Sequence, residues 1–222
     1  MPGTPASTTA AARLPSLVAT DLACRRGNRL IFKNVNFTLR SGEARWLRGR
    51  NGCGKTSLLR IAAGLALPAH GELSWDGIAV RRAPGYSARI TYVAHANALK
   101  EDLTVAEALT FLARLHDRPA DAASIAGALE RIGVVTRRDA PVRTLSQGQR
   151  RRASLARLAL ERGPALWILD EPYDALDGDG IDRLDGLLHE HLARGGSVLL
   201  TSHQPPGASA PAMVELDLGA FV

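Results

Sequence analysis

Apolar positions change their period repeatedly along this chain. Val35, Phe37 and Leu39 alternate with Asn34, Asn36, Thr38 and Arg40, a period of two that predicts a half-buried strand. An earlier strand is expected from Leu14 to Arg26, closed by the basic turn Arg25-Arg26-Gly27-Asn28, and a short buried strand from Ala44 to Arg48 around Trp46 and Leu47. Helical spacing takes over after Ser57, where Leu58, Leu59, Ile61 and Ala62 recur on one side. Two short strands follow, Glu72 to Trp75 and Arg89 to Ala94, and together they predict an antiparallel layer beside the core.

The middle third reads as helical. Thr104 and Glu107 have capping-box spacing and open a helix whose Ala108, Leu109, Leu112 and Leu115 share a face. A second helix is expected over Ser124 to Ile132, ending at Gly133, and a third from about Arg150 to Leu160. Apolar strands return at Ala165 to Leu169 and Ser197 to Ser202, separated by a helix from about Ile181 that turns Leu184, Leu187, Leu188 and Leu192 inward and stops at Gly195-Gly196. Strands and helices alternating in this way predict an α/β fold interrupted by a helical insertion at about residues 97–160.

Between the Ala44–Arg48 strand and its helix stands Gly49-Arg50-Asn51-Gly52-Cys53-Gly54-Lys55-Thr56, with a second hydroxyl at Ser57. The eight residues fit GxxxxGKS/T in the strand–loop–helix context that this phosphate-binding loop requires. Glycines let successive N–H groups converge on phosphate oxygens at the positive end of the helix. Lys55 is expected to reach the β- and γ-phosphates, and Thr56 to offer its hydroxyl to Mg²⁺. Cys53, beside a helix N-terminus, is expected to be a reactive thiol that bound nucleotide protects.

Three further segments carry chemistry. In Leu145-Ser146-Gln147-Gly148-Gln149, Ser146 and Gly148 sit where a helix start presents free N–H groups, which fits either an ordinary cap or a second anion site. The triplet Arg150-Arg151-Arg152 behind it reads as a solvated helix face. Asp170 and Glu171 end an apolar strand, a costly place for two carboxylates unless they meet a cation or a ligand; Asp170 suits a Mg²⁺ shell and Glu171 a general base. His203 stands at the carboxyl end of the last apolar strand, where ligands of open α/β sheets gather, whereas His70, His116, His189 and His191 have no such setting.

Composition narrows the field. A chain of 222 residues with 45% hydrophobic content suits one ordinary domain, and no apolar run approaches the roughly 20 residues of a spanning helix. Residues 1–16 are Ala-, Thr-, Ser- and Pro-rich without an apolar core, which predicts a disordered tail rather than a secretory signal. Two distant cysteines, Cys24 and Cys53, form neither a disulfide framework nor a metal pattern, which favours a reducing compartment. Of 28 cations 25 are Arg and the net charge is +6, yet the charges are scattered, which argues against nucleic acid as a partner.

Taken in order, the loop Gly49–Thr56, the segment Leu145–Gln149, the acidic strand Leu166–Glu171, the loop Ala175-Leu176-Asp177 and His203 resemble the nucleotide-binding domain of the ATP-binding cassette (ABC) family, over about Leu17 to Val222. The resemblance implies a P-loop NTPase with a RecA-like core, an antiparallel β subdomain and a helical signature subdomain. It implies a homodimer in which ATP is held between one subunit's phosphate loop and the other's signature helix. Ser146, Gly148 and Gln149 would then touch the γ-phosphate in trans, and His203 would position that phosphate and the attacking water. His95 falls where the family places a glutamine that reaches Mg²⁺ and water; an imidazole ligates metal only when neutral, so hydrolysis is expected to fall on acidification. The usual adenine-stacking aromatic is replaced by Cys24-Arg25-Arg26.

A narrower resemblance rests on Leu22-Ala23-Cys24, His95, Leu103–Leu109, Trp167–Tyr173 and Thr201–Gln204. These are similar to the ATP-binding subunits of the haem exporters used in bacterial cytochrome c maturation. That likeness implies integral membrane partners, haem as an indirect partner, and a place at the cytoplasmic face of the inner membrane. The alternatives are the ATP-binding subunit of another ABC transporter, or a soluble cassette protein acting on ribosomes or nucleic acid, although the latter usually carry two cassettes or a long insertion.

Overall fold

The computed structural model describes residues 16–163, 165–203 and 205–221. The expected tail therefore lies outside the described residues, except that Ser16 already belongs to a strand. β1 (Ser16–Arg26) and β2 (Arg29–Arg40) form an antiparallel hairpin around the basic turn, bulged where Asp21 takes a φ of +48°. β4 (His70–Trp75) adds to the other side of β1, and the two-residue β5 (Ile78–Ala79) completes a four-stranded sheet in the order β2-β1-β4-β5. Leu17, Leu22, Phe32, Val35 and Leu39 from this sheet are at most 1% exposed, packed against Leu58 and Leu59 of α1 (Lys55–Ala62).

The second sheet holds β6 (Ile90–Val93), β7 (Leu166–Leu169), β8 (Ser197–Thr201), β3 (Ala44–Arg48) and β9 (Val214–Asp217) in the order β6-β7-β8-β3-β9. Every pair in it is parallel. Its central strands β7 and β8 are buried at every position, which is why they read as continuous apolar runs rather than alternations. α5 (Gly178–Ala193) covers one face with Leu184, Leu187 and Leu188, while Leu192 is only partly buried. Its His191 is fully buried, stacked 3.7 Å from the Trp167 ring, with Nε2 donating to Ala165 O at 2.9 Å.

β6 corrects an expectation. It pairs in parallel with β7, Ile90 opposite Leu166 and Val93 opposite Leu169, and is not part of the antiparallel layer with β4. A four-residue alternation specifies a strand but not its partner. The consequence is functional, because an edge strand of the core sheet delivers His95 directly to the sheet's carboxyl end.

α2 (Val105–Leu115), α3 (Ala122–Arg131) and α4 (Gln147–Leu155) lie between β6 and β7. The Thr104–Glu107 capping box is present. Asp121 caps α3 by accepting from Ser124 N at 2.9 Å, which starts that helix two residues before its expected position. Leu115 does not join the buried face; it is 63% exposed because α2 ends there. The third expected helix begins earlier and ends sooner: Ser146 caps α4, and Ala156–Leu160 continues only as a 3-10 turn.

Candidate functional site

The phosphate loop leaves β3 and enters α1, so its N–H groups lie at a helix N-terminus. Gly54 has a φ of +104°, and a Cβ there would meet Ile31 Cγ2 at 2.6 Å and Phe32 Cδ1 at 2.8 Å. Only glycine allows this approach of the loop to the β2 strand. Lys55 is 8% exposed and donates from Nζ to Gly49 O at 2.7 Å, spanning the loop it belongs to. Gly49, Arg50, Asn51 and Gly52 line the cleft on the β9 side, while Gly54, Thr56 and Ser57 line the adjoining one.

Cys53 is the loop residue that turns inward. Its side chain is 7% exposed and packs into the apolar cluster beneath the loop, while the residue also borders the cleft on the β9 side. The alternation of small residues in the loop gave no sign of which side chain would turn inward.

Across the cleft stands the carboxyl end of β7. Asp170 accepts from Thr56 Oγ1 at 3.0 Å through Oδ2 and from Thr201 Oγ1 at 3.0 Å through Oδ1. The same Thr201 oxygen accepts from Glu171 N at 2.8 Å, so one hydroxyl of β8 holds both acidic residues. Glu171 is 7% exposed and has a φ of +48°, a backbone conformation that a non-glycine residue keeps only when its surroundings impose it. Its Oε1 lies 3.7 Å from His203 Nε2, and its Oε2 is buried with no hydrogen-bond partner among the described residues. Burial raises the Glu171 carboxyl above the usual carboxylate range; His203 and Lys55 oppose that shift and Asp174 adds to it. His95 lines the same cleft, largely exposed, with Nδ1 3.7 Å from Asp174 Oδ2.

Thus one cleft gathers Lys55, Thr56, His95, Asp170, Glu171 and His203 from four separate stretches of sequence. Ser146, Gly148 and Gln149 do not line it. They start α4, where Ser146 Oγ accepts from Gln149 N and Gln149 Oε1 accepts from Ser146 N, a reciprocal cap. Gly148 is required by a neighbour: a Cβ would lie 2.7 Å from Ala175 O, which packs the Ala175–Asp177 loop onto the start of α4.

The arginine triplet is the largest departure from expectation. Arg151 is 3% exposed and Arg152 8%, so only Arg150 keeps to the solvated side. Arg152 bridges Asp177 and Asp179 at the start of α5, the Asp179 contact at 2.6 Å. Arg151 points under the acidic strand end and donates to backbone carbonyls there. Its spacing from Leu155 and Leu158, which are fully buried, was the available signal. Thr201 was equally legible as a hydroxyl ending an apolar strand. A third unpredicted group is Asp185 of α5, 1% exposed, which accepts from Tyr173 Oη at 2.6 Å and Ser209 Oγ at 2.7 Å.

A Mg²⁺ ion fits this donor set. No cluster of three His, Cys, Asp or Glu suited to a metal occurs among the described residues, so a metal here would depend on the Thr56 hydroxyl, the Asp170 carboxylate and phosphate oxygens, with His95 on the same cleft as the further expected ligand. Mg²⁺ is the divalent ion commonly bound in that way. Among the described residues no helix is long and apolar enough to cross a membrane.

Comparison with known proteins agrees with this geometry. The family described as ABC transporter matches residues 32–174. The cytochrome c biogenesis ATP-binding export protein CcmA of Nitrosospira multiformis is 44% identical over 92% of this chain and 100% of its own length. Its namesake from Methylococcus capsulatus is 46% identical over 84% of this chain and 90% of its own. A solved ATP-binding subunit of an ABC transporter superposes with a TM-score of 0.78 at 26% identity, covering 91% of this chain and 86% of the other. An ATP-binding protein from Pyrococcus furiosus shares the fold with a TM-score of 0.80 at 24% identity, over 93% and 98% of the two chains. With a family match across most of the chain, near full-length relatives and a nucleotide cleft of the corresponding composition, this chain belongs to the ABC transporter family.

Proposed function

We propose that the chain is the ATP-hydrolysing subunit of a cytochrome c biogenesis exporter, and that it works as a homodimer. The names and extent of its relatives support the pathway. The single observation that carries the chemistry is Glu171: a buried carboxylate with one oxygen unpartnered among the described residues and the other 3.7 Å from His203 Nε2, beside the phosphate loop.

ATP is bound by the loop N–H groups and by Lys55, which exchanges its bond to Gly49 O for phosphate oxygen. Thr56 and Asp170 would hold Mg²⁺, which when bound offsets charge on the β- and γ-phosphates. Glu171 takes the proton of the attacking water; its raised affinity for protons suits that task. His203 orients the same water and the γ-phosphate. His95, at the exposed edge of the same cleft, would add a further ligand to Mg²⁺ when its imidazole is neutral. Ser146, Gly148 and Gln149 lie outside their own subunit's cleft and complete the partner's. Membrane subunits at the cytoplasmic face of the inner membrane would receive the motion, with haem as the cargo of the complex and not of this subunit.

The test is Glu171→Gln with ATP and Mg²⁺, analysed by size-exclusion chromatography with light scattering. The expected outcome is a nucleotide-loaded dimer that does not turn over. A monomer that fails to retain ATP would overturn the reading.

A further inference from the structure

We infer that Arg151 is a positioning residue for hydrolysis: its guanidinium fixes the backbone that aims Glu171, and it ties that backbone to the helix whose start forms the second phosphate site. The inference rests on Glu171 being the general base.

The observation is the number and origin of its partners. Arg151 Nη2 donates to Asp170 O at 2.8 Å and to Glu171 O at 2.5 Å, and Nε donates to Pro172 O at 3.3 Å. On the other side Nη1 donates to Ala94 O at 3.0 Å, with Asn97 Oδ1 at 3.4 Å and His95 O at 3.5 Å. One planar fork therefore joins the segment carrying His95 to the segment carrying Glu171. Such a fork needs five N–H donors in fixed directions, which lysine lacks.

Strain gives the clamp its purpose. Glu171 sits at a φ of +48°, held at its N–H by Thr201 Oγ1 and at its C=O by Arg151. Without the second hold, Glu171, which precedes Pro172, can relax toward the extended region that a residue before proline prefers, and the carboxylate turns with it. Burying this cation is costly, and among the described residues no carboxylate bonds to it directly; its bonds go to carbonyls and one amide oxygen. A surface role would not require that.

The placement on α4 adds a coupling. Ser146, Gly148 and Gln149 begin the helix, and Arg151 lies two residues beyond Gln149. Closure of a partner's triphosphate on the start of α4 moves, through a rigid helix, the residue that holds this subunit's own Glu171.

The experiment compares wild type, Arg151→Gln and Arg151→Lys in steady-state ATPase assays, direct nucleotide binding and amide hydrogen exchange. For Arg151→Gln, kcat should fall on the order of tenfold to a hundredfold, with KM and nucleotide Kd within about twofold of wild type. Amide exchange should accelerate at residues 94–97 and 171–174 while the central strands keep their protection. Arg151→Lys, which retains the stem and charge, should keep the melting temperature nearer to wild type yet leave kcat depressed. Full turnover in Arg151→Lys, or unchanged exchange in both segments, would overturn the inference. Wild-type turnover in the same assay tests the ATPase reading separately.

Discussion

The hydroxyl of Thr56 donates to Asp170 Oδ2 at 3.0 Å, joining the first turn of α1 to the end of β7. Two residues 114 positions apart are thus paired at the one place where the phosphate loop faces the acidic strand. If this pair holds Mg²⁺, Thr56→Val and Asp170→Asn should each lower ATP turnover on the order of a hundredfold. Both should also raise the Mg²⁺ concentration needed for half-maximal rate. Wild-type Mg²⁺ titration curves in both variants would sink the assignment.

Glu171 predicts opposite effects on activity and on stability. Burial lifts its carboxyl above the usual range, so the base is ionised only above a correspondingly higher pH, and hydrolysis should fall along an acid limb displaced upward from ordinary carboxylates. For stability the sign reverses. The folded chain holds this proton more readily than the unfolded chain does, so stability falls as pH rises from the ordinary carboxylate value through the raised one. Glu171→Gln should therefore melt above wild type at neutral pH. Thermal scans should show the difference closing below the ordinary carboxylate range.

Gly148→Ala places a methyl group 2.7 Å from Ala175 O, a backbone atom that cannot step aside as a side chain can. The loop Ala175–Asp177 must then part from α4. Turnover should drop about tenfold or more while binding of nucleotide to the isolated subunit is kept, because the Lys55 cleft is separate. Equal loss of binding and turnover would count against the separation of the two half-sites.

His191 gives a pH signature unrelated to catalysis. Burial pushes its imidazole down to about 4 from an ordinary 6.5, although Nε2 donates to the Ala165 carbonyl. The unfolded chain takes up a proton below about 6.5 and the folded chain does not, so its contribution is complete above that pH and is lost as pH falls toward 4. The loss is on the order of a few kcal/mol. In His191→Phe, which keeps a ring against Trp167, chemical denaturation should show a shallower decline over this interval.

Local physics was legible in the sequence and non-local pairing was not. The β3 strand Ala44–Arg48, the capping box at Thr104 and Glu107 and the glycine-rich loop depend on neighbours within a few residues, and they stand where the spacing puts them. Asp170, Glu171 and His203 were identifiable because polar groups at the ends of apolar strands demand a partner. The sheet that β6 joins depends on a strand more than seventy residues away, and nothing within Arg89–Ala94 encodes it. Arg151 and Arg152 look like a solvated run because charge dominates composition, yet carbonyls and carboxylates from distant segments make their burial tolerable. Cys53 shows the same limit at smaller scale, since the direction of a loop side chain follows from what lies beneath it.

Asp185 shares its two carboxylate oxygens between Tyr173, two residues past Glu171, and Ser209, six past His203. Substitutions at these two hydroxyls should consequently be epistatic although the hydroxyls bond to different oxygens. A thermodynamic cycle built on Tyr173→Phe and Ser209→Ala should return a coupling of about 0.5 kcal/mol or more. α5 thus acts as a common mooring, through which wear on one catalytic loop is registered by the other.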